Sequence, residues 1–223
     1  MSNLSETWSK STTAIFNGVL LYSLGGILHP IFNFINSTAS TVNTLSSFAQ
    51  GNFSSGGPSA LSIICKILIA AIILGYYLYL KGLSDFAKIL DSTDSTAVGT
   101  IRSATIVILI GWVLSFVFGF LPFVGFVGRL ISGILCLIAY IMMLQGYSTL
   151  KKSSTFPEQA RKGASSLFTA IVLLLCAIII GLIPLIGGIP SMILNIIAFI
   201  MVLSGWAKIK NAVANPTTTM NNQ

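Results

Sequence analysis

Six apolar runs alternate with polar segments along this chain, over 13–34, 61–80, 104–121, 128–144, 167–184 and 189–203. Each is close to the ~20 residues a helix needs to cross hydrocarbon. None shows the period-two alternation of a membrane β-barrel strand. The pattern predicts an all-α membrane protein with six transmembrane helices. The first run is longer than the apolar part of a signal peptide, and Glu6 offsets Lys10 before it, so it is read as a retained span.

The pattern also repeats. The second, fourth and sixth runs close on Leu80-Lys81-Gly82-Leu83, Leu144-Gln145-Gly146-Tyr147 and Leu203-Ser204-Gly205-Trp206, each with lysine soon after. Glycine near a helix end followed by a cation suits the carbonyl-rich C-terminus. At the other membrane face, Gly119-Phe120-Leu121-Pro122 parallels Gly181-Leu182-Ile183-Pro184, with Ile27-Leu28-His29-Pro30 as a diverged version. Proline ends the outgoing helix, and the glycines that follow permit a tight reversal. The expected architecture is three tandem helical hairpins of the same topology, together one membrane domain. Its parts are an N-terminus over 1–12, repeats over 13–90, 91–152 and 153–210, and a polar tail over 211–223. The first repeat carries a Ser/Thr/Asn/Gly-rich segment over 36–59, expected as a loop because it has little apolar surface to bury. Thr155-Phe156-Pro157-Glu158 has the form of a capping box, and 91–95 offers several caps.

Charge gives the hairpins a direction. Lys10, Lys81, Lys88, Arg102, Lys151, Lys152, Arg161, Lys162, Lys208 and Lys210 lie on one set of connections; 35–59, 121–127 and 183–189 carry no charge. The positive-inside rule places both termini in the cytoplasm, with a bacterial inner membrane as the expected cell membrane. Trp8, Tyr76, Tyr77, Tyr79, Tyr147 and Trp206 fall at the same ends, as an aromatic belt would.

Composition agrees: 54% of residues are hydrophobic, 8% are charged, and mean hydropathy is +0.91. So few charges could not cover a water-soluble fold of this size. The net charge of +7 comes from basic helix ends without a basic aromatic stripe, which argues for membrane lipid and against nucleic acid as partner. Cys65, Cys136 and Cys176 each lie in an apolar run and read as small packing residues.

Small residues mark where helices meet in lipid. Gly111, Ser115 and Gly119 recur at spacing four, as do Gly128, Ser132 and Cys136; Ala71 with Gly75 and Ala177 with Gly181 extend the ladders. They read as intramolecular packing faces, with a homo-oligomer or a membrane-protein partner as the sharper reading. Lys66 and Arg129 are the charges inside apolar runs, at nearly matching repeat positions, and are candidates for anion or lipid-headgroup contact. Snorkelling to the outer headgroups is the plainer account. Asn17 and Asn195 are intramembrane polar groups expected to hydrogen-bond between helices.

Catalytic chemistry finds no footing. His29 is the one histidine, and all five acids, Glu6, Asp85, Asp91, Asp94 and Glu158, lie on the basic side. A serine nucleophile lacks a base, a metal lacks clustered ligands, and the glycine-rich turns match no phosphate loop. No cofactor and no enzyme activity are expected. A scaffold, accessory or membrane-organising protein fits best; a channel or carrier for a small or anionic solute between the hairpins is the alternative.

Overall fold

The computed structural model describes residues 2–49, 60–119, 125–181, 183 and 188–212. These form six helices: α1 (Ser2–Ala49), α2 (Ala60–Ala87), α3 (Ser92–Gly119), α4 (Gly125–Lys152), α5 (Glu158–Gly181) and α6 (Gly188–Asn211). No strand occurs among the described residues. Six helical stretches, one in each helix, are long and apolar enough to cross a membrane, and membrane residence follows from that length and composition.

Helix α1 departs from expectation. It does not turn at His29-Pro30, and it runs on to Ala49 through much of the segment expected as a loop. Local hydrogen bonding accounts for this. The Ser37 hydroxyl donates to Phe34 O (2.8 Å), Thr38 to Phe34 O (2.9 Å) and Thr41 to Ser37 O (2.9 Å). The hydroxyls are satisfied inside the helix, and no glycine or proline interrupts 31–49. Positions 50–59, the turns at 120–124 and 184–187, and most of the tail lie outside the described residues.

The chain divides into two compact units, Met1–Phe16 with Leu80–Gln223, and Asn17–Tyr79. In the larger, α3 packs on α4, α4 on α5, and α5 on α6. Glycines set the approach. A Cβ on Gly146 would stand 2.9 Å from Ala97 O and 2.5 Å from Ile101 Cγ1. One on Gly205 would stand 2.9 Å from Gly163 O and 2.7 Å from Leu167 Cγ. One on Gly82 would stand 3.0 Å from Ser11 O and 2.7 Å from Ile15 Cγ1. Each glycine thus faces a carbonyl and the branched side chain one turn further on.

The smaller unit uses the same device, since a Cβ on Gly18 would lie 2.7 Å from Gly75 O and 2.5 Å from Tyr79 N. Tyr22 stacks on Tyr76 there, with centroids 4.6 Å apart.

The small residues at the helix seams recur every seven positions. Buried examples are Ser11, Gly18 and Gly25 on α1; Ala97, Ala104 and Gly111 on α3; Gly163, Ala170 and Ala177 on α5; and Ser132, Ala139 and Gly146 on α4. Seven residues are close to two helical turns, so they return to one face. Of the ladders expected at spacing four, Gly75, Gly111, Gly128, Ser132 and Ala177 are buried, whereas Ala71, Ser115 and Cys136 are half-buried. The surroundings of Gly119 and Gly181 lie outside the described residues.

Large buried side chains concentrate at the basic ends of the helices. Trp8, Leu83, Phe86, Val98, Ile101, Tyr147, Leu150, Phe156, Trp206 and Ile209 are all buried. Along the middles and other ends of the helices, Ile67, Ile73, Phe116, Ile134, Ile179 and Ile200 stay exposed, as hydrocarbon-facing side chains do.

Candidate functional site

Within the larger unit, the basic ends assemble three arrangements of side chains. The first is aromatic. Trp8 meets Phe86 edge to face at 4.8 Å and Phe156 at 5.7 Å, and Phe86 meets Phe156 at 6.2 Å. The Trp8 indole donates to Ile209 O at 3.1 Å. This cluster gathers the start of α1, the end of α2, the α4–α5 turn and the end of α6. Four aromatics expected in an interfacial belt, Trp8, Tyr79, Tyr147 and Trp206, are instead buried, while Tyr77 is exposed. A tryptophan with a buried N–H partner stabilises more as core than as belt.

The second arrangement centres on Asp94, which is 1% exposed. Its Oδ2 accepts from Ser153 Oγ (3.0 Å) and Thr155 Oγ1 (2.8 Å), joining the first turn of α3 to the α4–α5 connection. Asp91 caps α3: its Oδ1 accepts from Asp94 N at 3.1 Å and its carbonyl from Ser95 N at 2.8 Å. The expected capping box at α5 is absent, because Thr155 is held by Asp94 and Glu158 pairs with Lys162 at 2.8 Å. Asp94 Oδ1 and Arg161 Nε are buried with no hydrogen-bond partner among the described residues. Hydrogen bonds to a charged group contribute roughly 1.5–3 kcal/mol each. Burial, which pushes the Asp94 carboxyl above its ordinary range, offsets part of those two bonds, so Asp94→Ala is expected to lower unfolding stability by about 2 kcal/mol, and Asp94→Asn by less, because the amide oxygen still accepts both hydroxyls. Chemical unfolding in mixed micelles reads this, and an unchanged midpoint for the alanine variant would show the node to be idle.

The third arrangement is an open groove of about 510 Å³ between α3 and α4. Ser92, Thr93, Thr96 and Thr100 line one wall, with Gln145 and Thr149 opposite. The Thr96 hydroxyl donates to Ser92 O (2.8 Å), Thr100 to Thr96 O (3.0 Å) and Thr149 to Gln145 O (3.1 Å). The protons of Thr96, Thr100 and Thr149 are thereby committed to their own helices, so these three present lone pairs to the groove, while Ser92, Thr93 and Gln145 can donate as well as accept.

Comparison with protein-family models, with curated proteins and with solved structures finds no match for this chain. The site is therefore argued from its own chemistry.

The residues singled out from sequence lie elsewhere. Lys66 is exposed on α2, and the side chain of Arg129 lies outside the described residues. Counting back from Gly82 and Gly146, Arg129 stands level with Cys65 rather than Lys66, one helical position away. Asn17 is exposed. Asn195 is exposed too, and its amide donates to Ser191 O of its own helix at 2.9 Å, where a bond between helices was expected. Sequence reasoning passed over the groove and the Asp94 node. Ser92, Thr96 and Thr100 do recur at helical spacing, as do Gln145 and Thr149, and those two polar rows were the available signal.

Proposed function

We infer that this protein is a membrane-embedded scaffold, built from three same-sense helical hairpins with their basic ends in the cytoplasm, acting by helix packing and by contact with lipid or a partner protein. The observation that carries the reading is a threefold match in packing register. Ile15, Ile101 and Leu167 are buried beside Gly82, Gly146 and Gly205 in turn. Leu83, Tyr147 and Trp206 follow those glycines, all buried, and then Phe86, Leu150 and Ile209, all buried. At the next matching position the chain closes each helix in the same way. Ile89 N donates to Phe86 O (3.2 Å), Ser153 N to Leu150 O (3.4 Å) and Ala212 N to Ile209 O (3.3 Å).

The scaffold role is supported by where the polar machinery sits. Asp94, Ser153 and Thr155 tie helix ends to one another, and the exposed surfaces of the crossings are rich in isoleucine, with leucine and valine. Apolar faces of that kind suit lipid chains or the helices of other membrane proteins.

The test uses the full chain in its membrane. With the three native cysteines replaced by serine, Thr41→Cys and Ser154→Cys are expected to react with an impermeant maleimide from opposite sides. A photoreactive residue in place of Phe116 is expected to give a discrete crosslinked product. Labelling of both sites from one side would remove the topology. Monomer alone after crosslinking, together with anion flux in vesicles that Lys66→Ala abolishes, would replace the scaffold by a carrier.

A further inference from the structure

We propose that the groove between α3 and α4 binds the primary ammonium group of a phospholipid headgroup. The proposal rests on the three-hairpin reading, because it depends on matching positions in the three helix pairs.

In the α5–α6 pair, Lys208 takes the register position that Thr149 holds on α4, and Ser166 takes that of Thr100. Lys208 Nζ donates to Ser166 Oγ at 3.2 Å. The protein thus lays one of its own ammonium groups on a hydroxyl at this level. In the first pair, Lys10 matches Thr96 and Asp85 matches Thr149. Asp85 is bonded to Lys88 at 2.8 Å and also lies within electrostatic reach of Lys81 and Lys10. Both pairs therefore supply cations at this level from the chain.

The α3–α4 pair has Lys152 at the register of Lys88 but no cation at the positions of Lys10 and Lys208. Threonine stands at both matching positions, and the 510 Å³ groove opens there. Three threonine oxygens form an acceptor patch within it. Thr96, Thr100 and Thr149 have committed their protons to backbone carbonyls, so their oxygens can only accept. An ammonium group with three N–H donors complements that surface, as Lys208 does at Ser166. The exposed carboxylate of Asp91, next to Ser92, adds attraction for a cation.

Position points to a lipid rather than a soluble amine. Ser92 to Thr100 covers about 12 Å along α3 at 1.5 Å per residue. The apolar run begins at 104, directly beyond, so the groove stands at headgroup height when the crossing is embedded.

The experiment compares two lipids that differ only in nitrogen-bound hydrogens. The full chain, delipidated in detergent, is given equal dioleoyl phosphatidylethanolamine and dioleoyl phosphatidylcholine, and retained lipid is read by native mass spectrometry. The expected result is retention of phosphatidylethanolamine about tenfold over phosphatidylcholine, whose methylated nitrogen has no donor. Thr149→Lys, which imports the side chain of position 208, is expected to fill the groove and bring the ratio near one. Thr96→Val with Thr149→Val is expected to do the same by removing acceptors at constant volume.

Equal retention of the two lipids by the native chain overturns the proposal, whatever the variants do. So does an undiminished preference in a Thr149→Lys protein that elutes and unfolds as the native one does. Displacement of the lipid by millimolar O-phosphoethanolamine would assign the site to a soluble amine and overturn the lipid. A lost preference with opposite-side labelling at Thr41 and Ser154 removes the groove assignment alone; same-side labelling removes the hairpin reading beneath it.

Discussion

Gly163→Ala is expected to destabilise the protein although alanine is the better helix former. A Cβ at Gly163 would stand 2.6 Å from Gly205 O, 2.7 Å from Ile209 Cγ1 and 3.2 Å from Ile209 N. Two of those atoms are backbone, so no rotamer change relieves the overlap, and α5 and α6 must move apart. Overpacking of this kind costs roughly 1–3 kcal/mol, against about 1 kcal/mol gained in helix propensity. Separation of the helices also loosens Leu167 and Ile209, both buried, so the upper part of that range is expected. Gly99→Ala is the control. Nothing lies within 4 Å of a Cβ there, and the substitution is expected to be neutral or to stabilise by up to about 1 kcal/mol. Unfolding midpoints of the two variants in mixed micelles decide the matter. Equal loss at both sites would mean that glycine is needed for bending, not for close approach.

Trp8→Ala is expected to cost more, about 3–5 kcal/mol, the usual range for removing a buried tryptophan. Trp8 is 5% exposed, touches Phe86 and Phe156, and donates to Ile209 O. Trp8→Phe keeps most of the ring contact and loses the indole N–H, so a deficit near 1 kcal/mol is expected for it. The ordering Ala well below Phe, and Phe slightly below the native chain, is the signature of a core residue. An interfacial anchor would give near-equal values for the two, since neither replacement presents an indole to the headgroups. Protein level in membranes and unfolding midpoint should report the same order.

Hydropathy made the six helices legible because a crossing must satisfy its backbone internally and cover itself with apolar side chains. The repeated glycines were legible as phrases, though their partners were not. Gly82, Gly146 and Gly205 read as helix ends, while the carbonyls they face, on Ser11, Ala97 and Gly163, stand on other helices. Spacing four found part of the seam, with Gly128 and Ser132 both buried, and left the rest for a related reason. Glycine, serine and alanine are common throughout such helices, so four-residue ladders are easily found; buried small residues also recur at seven. Trp8 and Trp206 carry the composition of an interfacial belt and the burial of a core, and composition cannot separate the two. Asp94 reads as one of several acids near a helix start, and only the fold brings Ser153 and Thr155 to it. For α1, polarity over 36–49 suggested a loop, whereas the hydroxyls of Ser37, Thr38 and Thr41 turn back onto their own helix.

The hydrogen bond from Trp8 to Ile209 O joins residues 201 positions apart. During synthesis the indole leaves the ribosome 201 residues ahead of its acceptor. Loop-closure entropy must be met before so distant a contact can form, and Trp8, Phe86 and Phe156 wait as an open aromatic patch until α6 arrives. A nascent chain that stops before Ile209 keeps that patch uncovered at the membrane surface, where holdases and proteases survey unfinished proteins. Closure of the aromatic cluster is thus coupled to the arrival of α6.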